Sequence, residues 1–523
     1  MKKKIITFVS LLSVLLVLPA RVEDDWKRSV DKMSSIIKVI EEHYFRTVDP
    51  ESIAFSSIKG MLKTLDPHSY FLDPRRLTLM QEEYKGKYSG LGILIQKHET
   101  RLVVISPIEG TPAYRLGIRA GDVISRINGE STKFISSFDA MLKLRGKKGT
   151  GVNITIVREG LDNPLELNII REEIPLYSVP YAFMLTEDIG YIFIRNFAGT
   201  TTEEFEEKMN YLRKQGMRKL ILDFRGNGGG TFGQSIILSD EFLSKGKMIV
   251  SIKGRDSYYN REFHARRNRQ FEDIPLVILI NQGTASAPEI VSGAIRDNDR
   301  GLIIGEDSWG KGLVQTVFPL APNAALALTT ARYYTPSGVS IQRDYSRYED
   351  YYLYRTEKPE EAREVRYTSG GRKVLGQGGI SPDYEVIFRY KPQTVKLLFE
   401  GAFFRYGRKF KDKETPLAQE YILPGEINSD EPLPEGKILF DSSFSADSRL
   451  LEDFKLYLLK EKIDFDRGRF AEAEEEIKRE LERELFGNIW DIQEGYHVYR
   501  KTDPVVLKAI EVMPEAEELI KKK

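Results

Sequence analysis

The sequence predicts a multidomain protein of the α/β class, and three observations support this prediction. The chain has 523 residues, more than one hydrophobic core usually organises, so about three or four domains are expected. Its composition, 41% hydrophobic and 30% charged residues, is typical of a soluble globular protein. In the middle of the chain, apolar strand-like segments such as "KLILDF" alternate with capped helical segments such as "TTEEFEEKMNYLRKQG".

Changes in the local pattern give the predicted domain limits. Residues 24–84 have the apolar spacing of helices, as in "MSSIIKVIEEHYF", and close with the turn-rich "LDPHSYFLDP". Residues 86–171 consist of short alternating strands, glycine turns and one short helix at "TPAYRLG". Residues 172–392 carry the α/β alternation, and residues 393–523 are charged and mostly helical around a proline-rich loop.

The N-terminus has the pattern of a secretory signal. Residues 1–20 begin with "MKKK", continue with an apolar run and end in a small residue, Ala20. Leu18 is a poor residue at the position three before such a cleavage site, so an uncleaved anchor in the inner membrane remains the alternative. We therefore expect an exported protein, located in the bacterial periplasm.

Charge and rare residues exclude several classes of function. Lysine and arginine (78) balance aspartate and glutamate (78), so no global charge favours nucleic acid or an anionic membrane. The basic run at residues 261–270 is interpreted as a solvated loop. The chain has no cysteine, which removes thiolate chemistry and disulfides, and its five histidines lack metal-ligand spacing. We expect neither a metal nor another cofactor.

The segment "NQGTASAPEI" presents Ser286 where an apolar run meets a predicted helix. Ser286 and Glu289 fit the S-x-x-E capping box, and Pro288 suits the first turn of a helix. The same placement would display a nucleophile at a strand-to-helix turn. Taken alone, the motif favours the cap, because capping boxes are common and nucleophiles are rare.

A glycine-rich loop, residues 226–233, follows the strand-like "LILDF". It satisfies G-x-G-x-x-G, but Asp223 and Arg225 intervene before the first glycine, and Lys253 stands where an acidic ribose ligand is expected. A dinucleotide site is therefore disfavoured. An oxyanion hole built from backbone N–H groups and a simple tight turn both remain open.

A nucleophilic serine needs a base, and two residues of the α/β region are candidates. Lys311 lies between two glycines at the start of an apolar run, an unusual place for a surface lysine. It can act as a base only if burial lowers its pKa towards neutrality. His264 is the alternative base. Gln315 shares a strand face with Lys311 but lies about 13 Å away in a regular strand, so a bulge or turn is needed to bring them together.

The segment of residues 281–320, "NQGTASAPEIVSGAIRDNDRGLIIGEDSWGKGLVQTVFPL", strongly resembles the C-terminal processing (tail-specific) serine proteases. Lys311 follows Ser286 by 25 positions, the usual spacing in that family. The segments "LDPHSYF", "SGLGILI", "LDFRGNGGG", "ARYYTPSGVSIQ" and "GGISPDYEV" resemble other recurrent family segments in the same order. The resemblance covers about residues 24–390. Two residues depart from the family pattern. The family more often has serine at the position of Thr284, and serine or alanine is usual at the position of Pro288.

The resemblance implies a crotonase-like ββα protease core preceded by a PDZ domain. Ser286 would attack, Lys311 would act as the base and Gln315 would orient it. The N–H groups of Ala287 and Gly229 would hold the oxyanion.

The PDZ resemblance assigns a further role, because the N–H groups of Leu91, Gly92 and Ile93 would bind a substrate carboxylate. Protein or peptide substrates with an accessible C-terminus are thus the expected partners. A homo-oligomer and a periplasmic adaptor are further options. Two alternatives remain. The first is a non-catalytic PDZ scaffold or ligand-binding relative of the same fold. The second is a crotonase-like acyl-CoA enzyme, which an exported chain with a PDZ-like insert fits poorly.

Overall fold

The structure is a computed structural model, and it describes nearly all of the chain after the first 24 residues. The described residues are 25–98, 100–108, 110–158, 161–266, 271–320, 323–353, 360–426, 433–434 and 436–521. The predicted signal segment, residues 1–20, lies outside them. No helix within the described ranges is long and apolar enough to cross a membrane.

The helices are α1 (25–43), α2 (Pro50–Leu62), α3 (Pro74–Lys85), α4 (Pro112–Arg115), α5 (Ser137–Leu144), α6 (Thr201–Lys214), α7 (Phe232–Asp240), α8 (Ala287–Asp297), α9 (Tyr348–Tyr352), α10 (Pro392–Phe399), α11 (Ala402–Lys411), α12 (Ser448–Lys460), α13 (Arg467–Glu472), α14 (Glu474–Ile489), α15 (Ile492–Lys501), α16 (Pro504–Glu511) and α17 (Met513–Lys521). The strands are β1 (Tyr70–Leu72), β2 (Lys87–Gly90), β3 (Ile93–His98), β4 (Arg101–Pro107), β5 (Val123–Ile127), β6 (Glu130–Ser131), β7 (Gly151–Val157), β8 (Leu165–Ile170), β9 (Glu172–Pro175), β10 (Tyr181–Met184), β11 (Ile189–Phe193), β12 (Lys219–Asp223), β13 (Met248–Gly254), β14 (Arg261–His264), β15 (Leu276–Ile280), β16 (Leu302–Gly305), β17 (Leu313–Leu320), β18 (Ala324–Tyr334), β19 (Val365–Tyr367), β20 (Lys373–Leu375), β21 (Tyr384–Glu385), β22 (Tyr421–Ile422) and β23 (Ile438–Leu439).

The chain forms two compact units. The first comprises the described residues from 25 to Thr78 together with Gln315–Thr330. In it, β1 pairs antiparallel with residues 325–327 of β18, inside a stretch whose sequence predicts only turns. Phe71 of β1 is buried with Leu62 of α2, and this burial explains why so short a segment is extended.

The second unit comprises the described residues of Leu79–Val314 and those from Ala331 onward, and a six-stranded sheet is its centre. The strand order is β10-β11-β12-β15-β16-β21, with β10 antiparallel and the others parallel. In β15, "LVILI", all five residues are buried. A continuous apolar run of this kind is typical of a parallel strand that is covered on both faces.

Different helices cover the two faces of this sheet. Side chains of α6, α7 and α8 form a core with Leu220, Leu222 and Ile278 on one face. On the other face, α16 and α17 pack against Ile221 and Val277. The final helices of the C-terminal region therefore belong to the core of this unit. Helices α10 to α14 and the strand pair β22–β23 surround a separate hydrophobic cluster.

The β-rich region after α3 has its own core and a sheet ordered β3-β4-β5-β7-β8, with β6 paired to β5. Strand β2 pairs with β9 at the two ends of the region. Besides the expected helix α4, the region contains α5, which the sequence analysis did not identify. Ser136 caps α5 by accepting a hydrogen bond from the N–H of Asp139 at 3.0 Å.

Candidate active site

Ser286 lies at the first turn of α8, just after β15, and its backbone is unusual. Its φ of 67° and ψ of −112° fall outside the extended region that an ordinary helix cap adopts. A positive φ in a residue with a side chain is strained, and such strain is concentrated at functional sites. The strained turn therefore favours a displayed nucleophile over a simple cap.

Thr284, the other hydroxyl of the segment, has a structural environment. It is fully buried, and its Oγ1 donates to the carbonyl oxygen of Phe224 at 2.9 Å. The same oxygen accepts a hydrogen bond from the N–H of Asn281 at 3.0 Å. Both bonds fix the loop, which leaves Ser286 as the candidate nucleophile.

One buried carboxylate, Glu289, ties the main chain of Ser286 to that of Lys311. Its Oε2 accepts hydrogen bonds from the N–H of Ser286 at 2.6 Å and of Lys311 at 3.0 Å. Its Oε1 accepts from the N–H of Gly310 at 2.7 Å and from the Ser308 hydroxyl. Burial raises the pKa of Glu289, while these four donors oppose the shift. The carboxylate therefore fixes the spacing between the two backbone segments.

The Tyr333 hydroxyl makes a second link between the same segments. It donates to the carbonyl oxygen of Lys311 at 2.6 Å and lies 3.3 Å from that of Ser286. Burial, reinforced by the nearby Glu289 charge, raises the pKa of Tyr333 well above its usual value. The phenol thus keeps its proton and remains a donor.

The glycine loop packs directly against Ser286. A Cβ added to Gly229 would lie 2.9 Å from both the Ser286 Cβ and the Ala285 carbonyl oxygen, so only glycine fits. The N–H of Gly229 donates to Oδ1 of Asn227 at 2.9 Å in this structure. This bond would have to be shared or broken for the N–H to act in an oxyanion hole. The oxyanion role of Gly229 stays a prediction. Ala287 is buried at the start of α8, and the role of its N–H also stays a prediction.

The other predicted site residues lie in different settings. Lys311 precedes β17 in an irregular segment, next to Gly310 with its φ of 84°. Gln315 lies within β17, where its Nε2 donates to Oγ1 of Thr329 at 3.3 Å, and its predicted action on Lys311 stays a prediction. His264, the alternative base, is exposed at the end of β14 and lies 3.9 Å from Glu262. This setting does not favour His264.

The predicted carboxylate-binding loop lies between β2 and β3. Leu91 is buried, and Gly92 has a φ of 78° that places it against Thr111. The carbonyl oxygens of Leu91 and Gly92 accept hydrogen bonds from the N–H groups of Ala113 and Ile108, which anchor the loop. Ile93 begins β3, so the three predicted donors are consecutive along the chain.

Comparison with known proteins identifies the family. The model of peptidase family S41 matches residues 188–347, and that of the PDZ domain matches residues 89–169. A carboxy-terminal-processing protease of Bartonella bacilliformis is 37% identical over 353 residues, a match covering 65% of this chain and 81% of that protein. The chain belongs to peptidase family S41.

Two further relatives of this S41 member have similar names. The carboxy-terminal processing protease CtpA of Bacillus subtilis is 33% identical over 60% of this chain and 66% of its own length. The photosystem II D1 C-terminal processing protease, a solved structure, is 30% identical with a TM-score of 0.37 and covers 67% of this chain and 86% of that one. The two family models and the two carboxy-terminal processing proteases confirm the predicted family, its PDZ domain and its serine-type peptidase class.

Part of this S41 site has no complete signal in the sequence. The S-x-x-E motif predicts Glu289 only as a capping partner of Ser286, whereas the carboxylate also binds Gly310 and Lys311. Tyr333 gave no signal of its own, because its role depends on pairing β13 with the end of β18. Asp223 was noted only as an interruption of the glycine fingerprint.

Proposed function

We propose that the protein is a serine endopeptidase in which Ser286 is the nucleophile, Lys311 the general base and Gln315 the residue that orients Lys311. The observation that carries this proposal is the strained backbone of Ser286, tied by Glu289 to the main chain of Lys311. A strained nucleophile turn tethered to the segment of its base is an arrangement suited to acyl transfer.

In the first half of the proposed reaction, the neutral amine of Lys311 takes the proton of the Ser286 hydroxyl. The serine oxygen then bonds to the carbonyl carbon of the scissile peptide, and the negative charge moves to the carbonyl oxygen. The N–H groups of Ala287 and Gly229 and the start of α8 are proposed to stabilise that charge. When the C–N bond breaks, the Lys311 ammonium returns the proton to the leaving amine.

The second half releases the acyl-enzyme. Lys311, again neutral, accepts a proton from a water molecule that attacks the ester carbon. The C–O bond to Ser286 breaks, the serine recovers its proton from Lys311, and the new carboxylic acid leaves. The enzyme returns to its starting state without an external reactant other than water.

We also propose that the core, residues 172–392, has the crotonase-like ββα arrangement. The hairpin of β10 and β11 followed by α6 is one such unit and supports the assignment. Residues 24–84 and 393–523 complete the proposed division as the helical N-terminal and C-terminal regions.

The PDZ domain, proposed to span residues 86–171, is the proposed reader of substrate C-termini. The N–H groups of Leu91, Gly92 and Ile93 would bind the terminal carboxylate, and an extended peptide would pair beside β3. Substrates would be proteins or peptides with an accessible, apolar C-terminus.

We propose that the protein is exported and acts in the periplasm, free or tethered to the inner membrane. The support is the sequence pattern of residues 1–20. Self-association and a periplasmic adaptor are further proposals that rest on the family resemblance.

The decisive test compares two serine-to-alanine substitutions on one helix. Ser286→Ala is expected to abolish cleavage and labelling by a fluorophosphonate, which bonds covalently to activated serines. Ser292→Ala is the matched control, because the Ser292 hydroxyl is buried in α8 and lacks a hydrogen-bond partner among the described residues. It should be labelled and cleave like the wild type. Retained turnover in Ser286→Ala would refute the proposed nucleophile.

A further inference from the structure

A buried cluster of four charges lies where β12 ends and the glycine loop begins. Asp223 accepts hydrogen bonds from the backbone N–H of Arg225 at 2.9 Å and from its Nε at 3.0 Å. The Tyr191 hydroxyl donates to the same carboxylate at 2.6 Å. The carboxylate thus fixes both the main chain and the side chain of the residue that precedes Gly226.

The other half of the cluster comes from the C-terminal helical region. Asp503, 278 residues away in sequence, accepts hydrogen bonds from Nη2 of Arg225 at 2.8 Å and from its Nη1 at 3.2 Å. Arg500 donates to Asp503 at 2.6 Å and lies 3.8 Å from Asp223. The Arg225 side chain is 14% exposed and that of Asp503 is 4% exposed, so solvent screens this pair weakly.

From Arg225 the connection continues to the nucleophile through the main chain. Gly226 donates to Oδ1 of Asn281 at 2.9 Å, and Ala285 donates to the carbonyl oxygen of Asn227 at 2.9 Å. The glycine loop is thereby joined to the loop that carries Ser286. Movement of Arg225 would shift the backbone on which the proposed oxyanion hole depends.

We propose that Asp503 is a positioning residue for the protease site, which holds Arg225 and through it the glycine loop beside Ser286. The C-terminal region is then part of the catalytic unit, although the S41 family model ends at residue 347. This inference rests on the proposed Ser286 mechanism and extends it by assigning a role to the chain beyond residue 392.

Asp503 also caps α16, so the test has to separate capping from positioning. Its Oδ1 accepts a hydrogen bond from the N–H of Val505 at 3.0 Å. Asparagine is an equally good cap, so Asp503→Asn keeps that bond and removes the charge that holds Arg225 and Arg500. Glu511→Gln is the matched control, because it removes an exposed carboxylate of the same helix that pairs with Lys508.

The assay uses the full chain and an internally quenched peptide with an apolar, free C-terminus. Fluorophosphonate labelling carried to completion counts the reactive serines, so that kcat is expressed per competent site. We expect Asp503→Asn to lower kcat per labelled serine by about tenfold to a hundredfold, less than the full loss of an oxyanion donor. KM should change less than twofold, and Glu511→Gln should match the wild type in both constants. A purely structural role would lower the number of labelled sites and leave kcat per site unchanged.

A kcat per labelled serine within twofold of the wild type in Asp503→Asn would overturn the inference. If that variant does not accumulate as folded protein, Asp503→Glu keeps the charge and displaces it by one methylene. It is expected to lose several-fold in kcat per site, and an unchanged value would equally overturn the inference. Ser286→Ala in the same assay separates the two proposals: residual cleavage there would remove the proposed mechanism, and the inference would fall with it.

Discussion

Glu289 links the two backbone segments of the site, since it accepts hydrogen bonds from three backbone N–H groups and one hydroxyl. All four are neutral groups. Burial of a carboxylate is costly, and these bonds use it to hold the main chains of Ser286 and Lys311 at a fixed spacing.

Glu289→Gln should therefore lower kcat more than it changes KM. The amide offers one acceptor oxygen instead of two and directs N–H donors at other N–H donors. A buried donor left unsatisfied costs about 1–3 kcal/mol, which corresponds to roughly a tenfold to hundredfold loss in kcat. Steady-state kinetics normalised to labelled serines gives the measurement.

Tyr333→Phe provides the graded comparison. It removes one neutral hydroxyl and its bonds to the carbonyl oxygens of Lys311 and Ser286. A neutral hydrogen bond contributes about 0.5–1.5 kcal/mol, so kcat should fall by roughly twofold to tenfold. If the Tyr333→Phe enzyme has a lower kcat than the Glu289→Gln enzyme, the carboxylate is not the main link between the two segments.

The pH dependence of activity should identify Lys311 as the base. The proposed attack needs a neutral amine, so kcat/KM should rise with pH and level off once the amine has lost its proton. Lys311→Arg keeps the positive charge but cannot lose a proton at accessible pH. This variant should be inactive at every pH tested. An active Lys311→Arg enzyme would make His264 the candidate base.

At the scale of elements, the sequence predicts those whose pattern is local. Strand β15 and helix α8 follow from an apolar run and a capped helix start, and both appear in the structure. Helix α5 was missed because its eight residues, "SFDAMLKL", are too few to establish a helical period among short strands. Strand β1 was missed because its extended backbone depends on pairing with β18, more than 250 residues away.

The residues of the site also divide into those that a local sequence pattern predicts and those that depend on distant contacts. Ser286 and Lys311 can be predicted because their motifs are contiguous and their spacing is fixed along the chain. Glu289 can be predicted as a partner of Ser286, three positions away, but not of Lys311, because that contact needs the fold to close a loop of 22 residues. No local pattern indicates that Asp503 reaches Arg225.

The loop between β2 and β3 should make cleavage depend on a free substrate C-terminus. Amidation of the terminus removes its charge and presents an N–H group where an acceptor is required. A lost charged hydrogen bond is worth about 1.5–3 kcal/mol, or roughly tenfold to a hundredfold in kcat/KM. Paired peptides that differ only in a terminal acid or amide provide the comparison.

A third peptide acts as the control for that experiment. It carries the free acid but ends in a polar residue, so it separates recognition of the carboxylate from recognition of the apolar side chain. Equal cleavage of the acid and amide peptides would show that the carboxylate is not read, and the residues Leu91, Gly92 and Ile93 would need another role.

At the scale of the second compact unit, the C-terminal helices complete the central sheet. Val505, Val506 and Ala509 of α16 are buried against the face opposite α8, together with Met513 and Ala516 of α17. A parallel sheet requires cover on both faces. The terminal helices supply that cover and also bring Asp503 to the end of β12. The same packing therefore covers the sheet and places Asp503 beside the site.

The charge of Asp503 should therefore make the stability of this unit depend on pH. Burial by itself would raise the pKa of Asp503, but the positive charges of Arg225 and Arg500 outweigh burial and hold it well below the usual range. Because the folded-state pKa is lower than the unfolded-state value, the ionised carboxylate stabilises the fold above the unfolded-state pKa. That contribution is lost as the pH falls through the folded-state pKa.

Asp503→Asn should lower the free energy of unfolding at pH 7 by about 3–5 kcal/mol, because it leaves Arg225 and Arg500 buried with one carboxylate fewer. The difference from the wild type should shrink as the pH falls from about 5 to about 2, because the unfolded wild-type chain then binds a proton at Asp503 that the folded protein does not bind. Urea-unfolding midpoints measured over that range give the comparison. Glu511→Gln, whose wild-type side chain is 67% exposed, should differ little from the wild type at any pH. A difference for Asp503→Asn that stays constant down to the lowest pH would mean that the charge pair with Arg225 is not what Asp503 contributes to the fold.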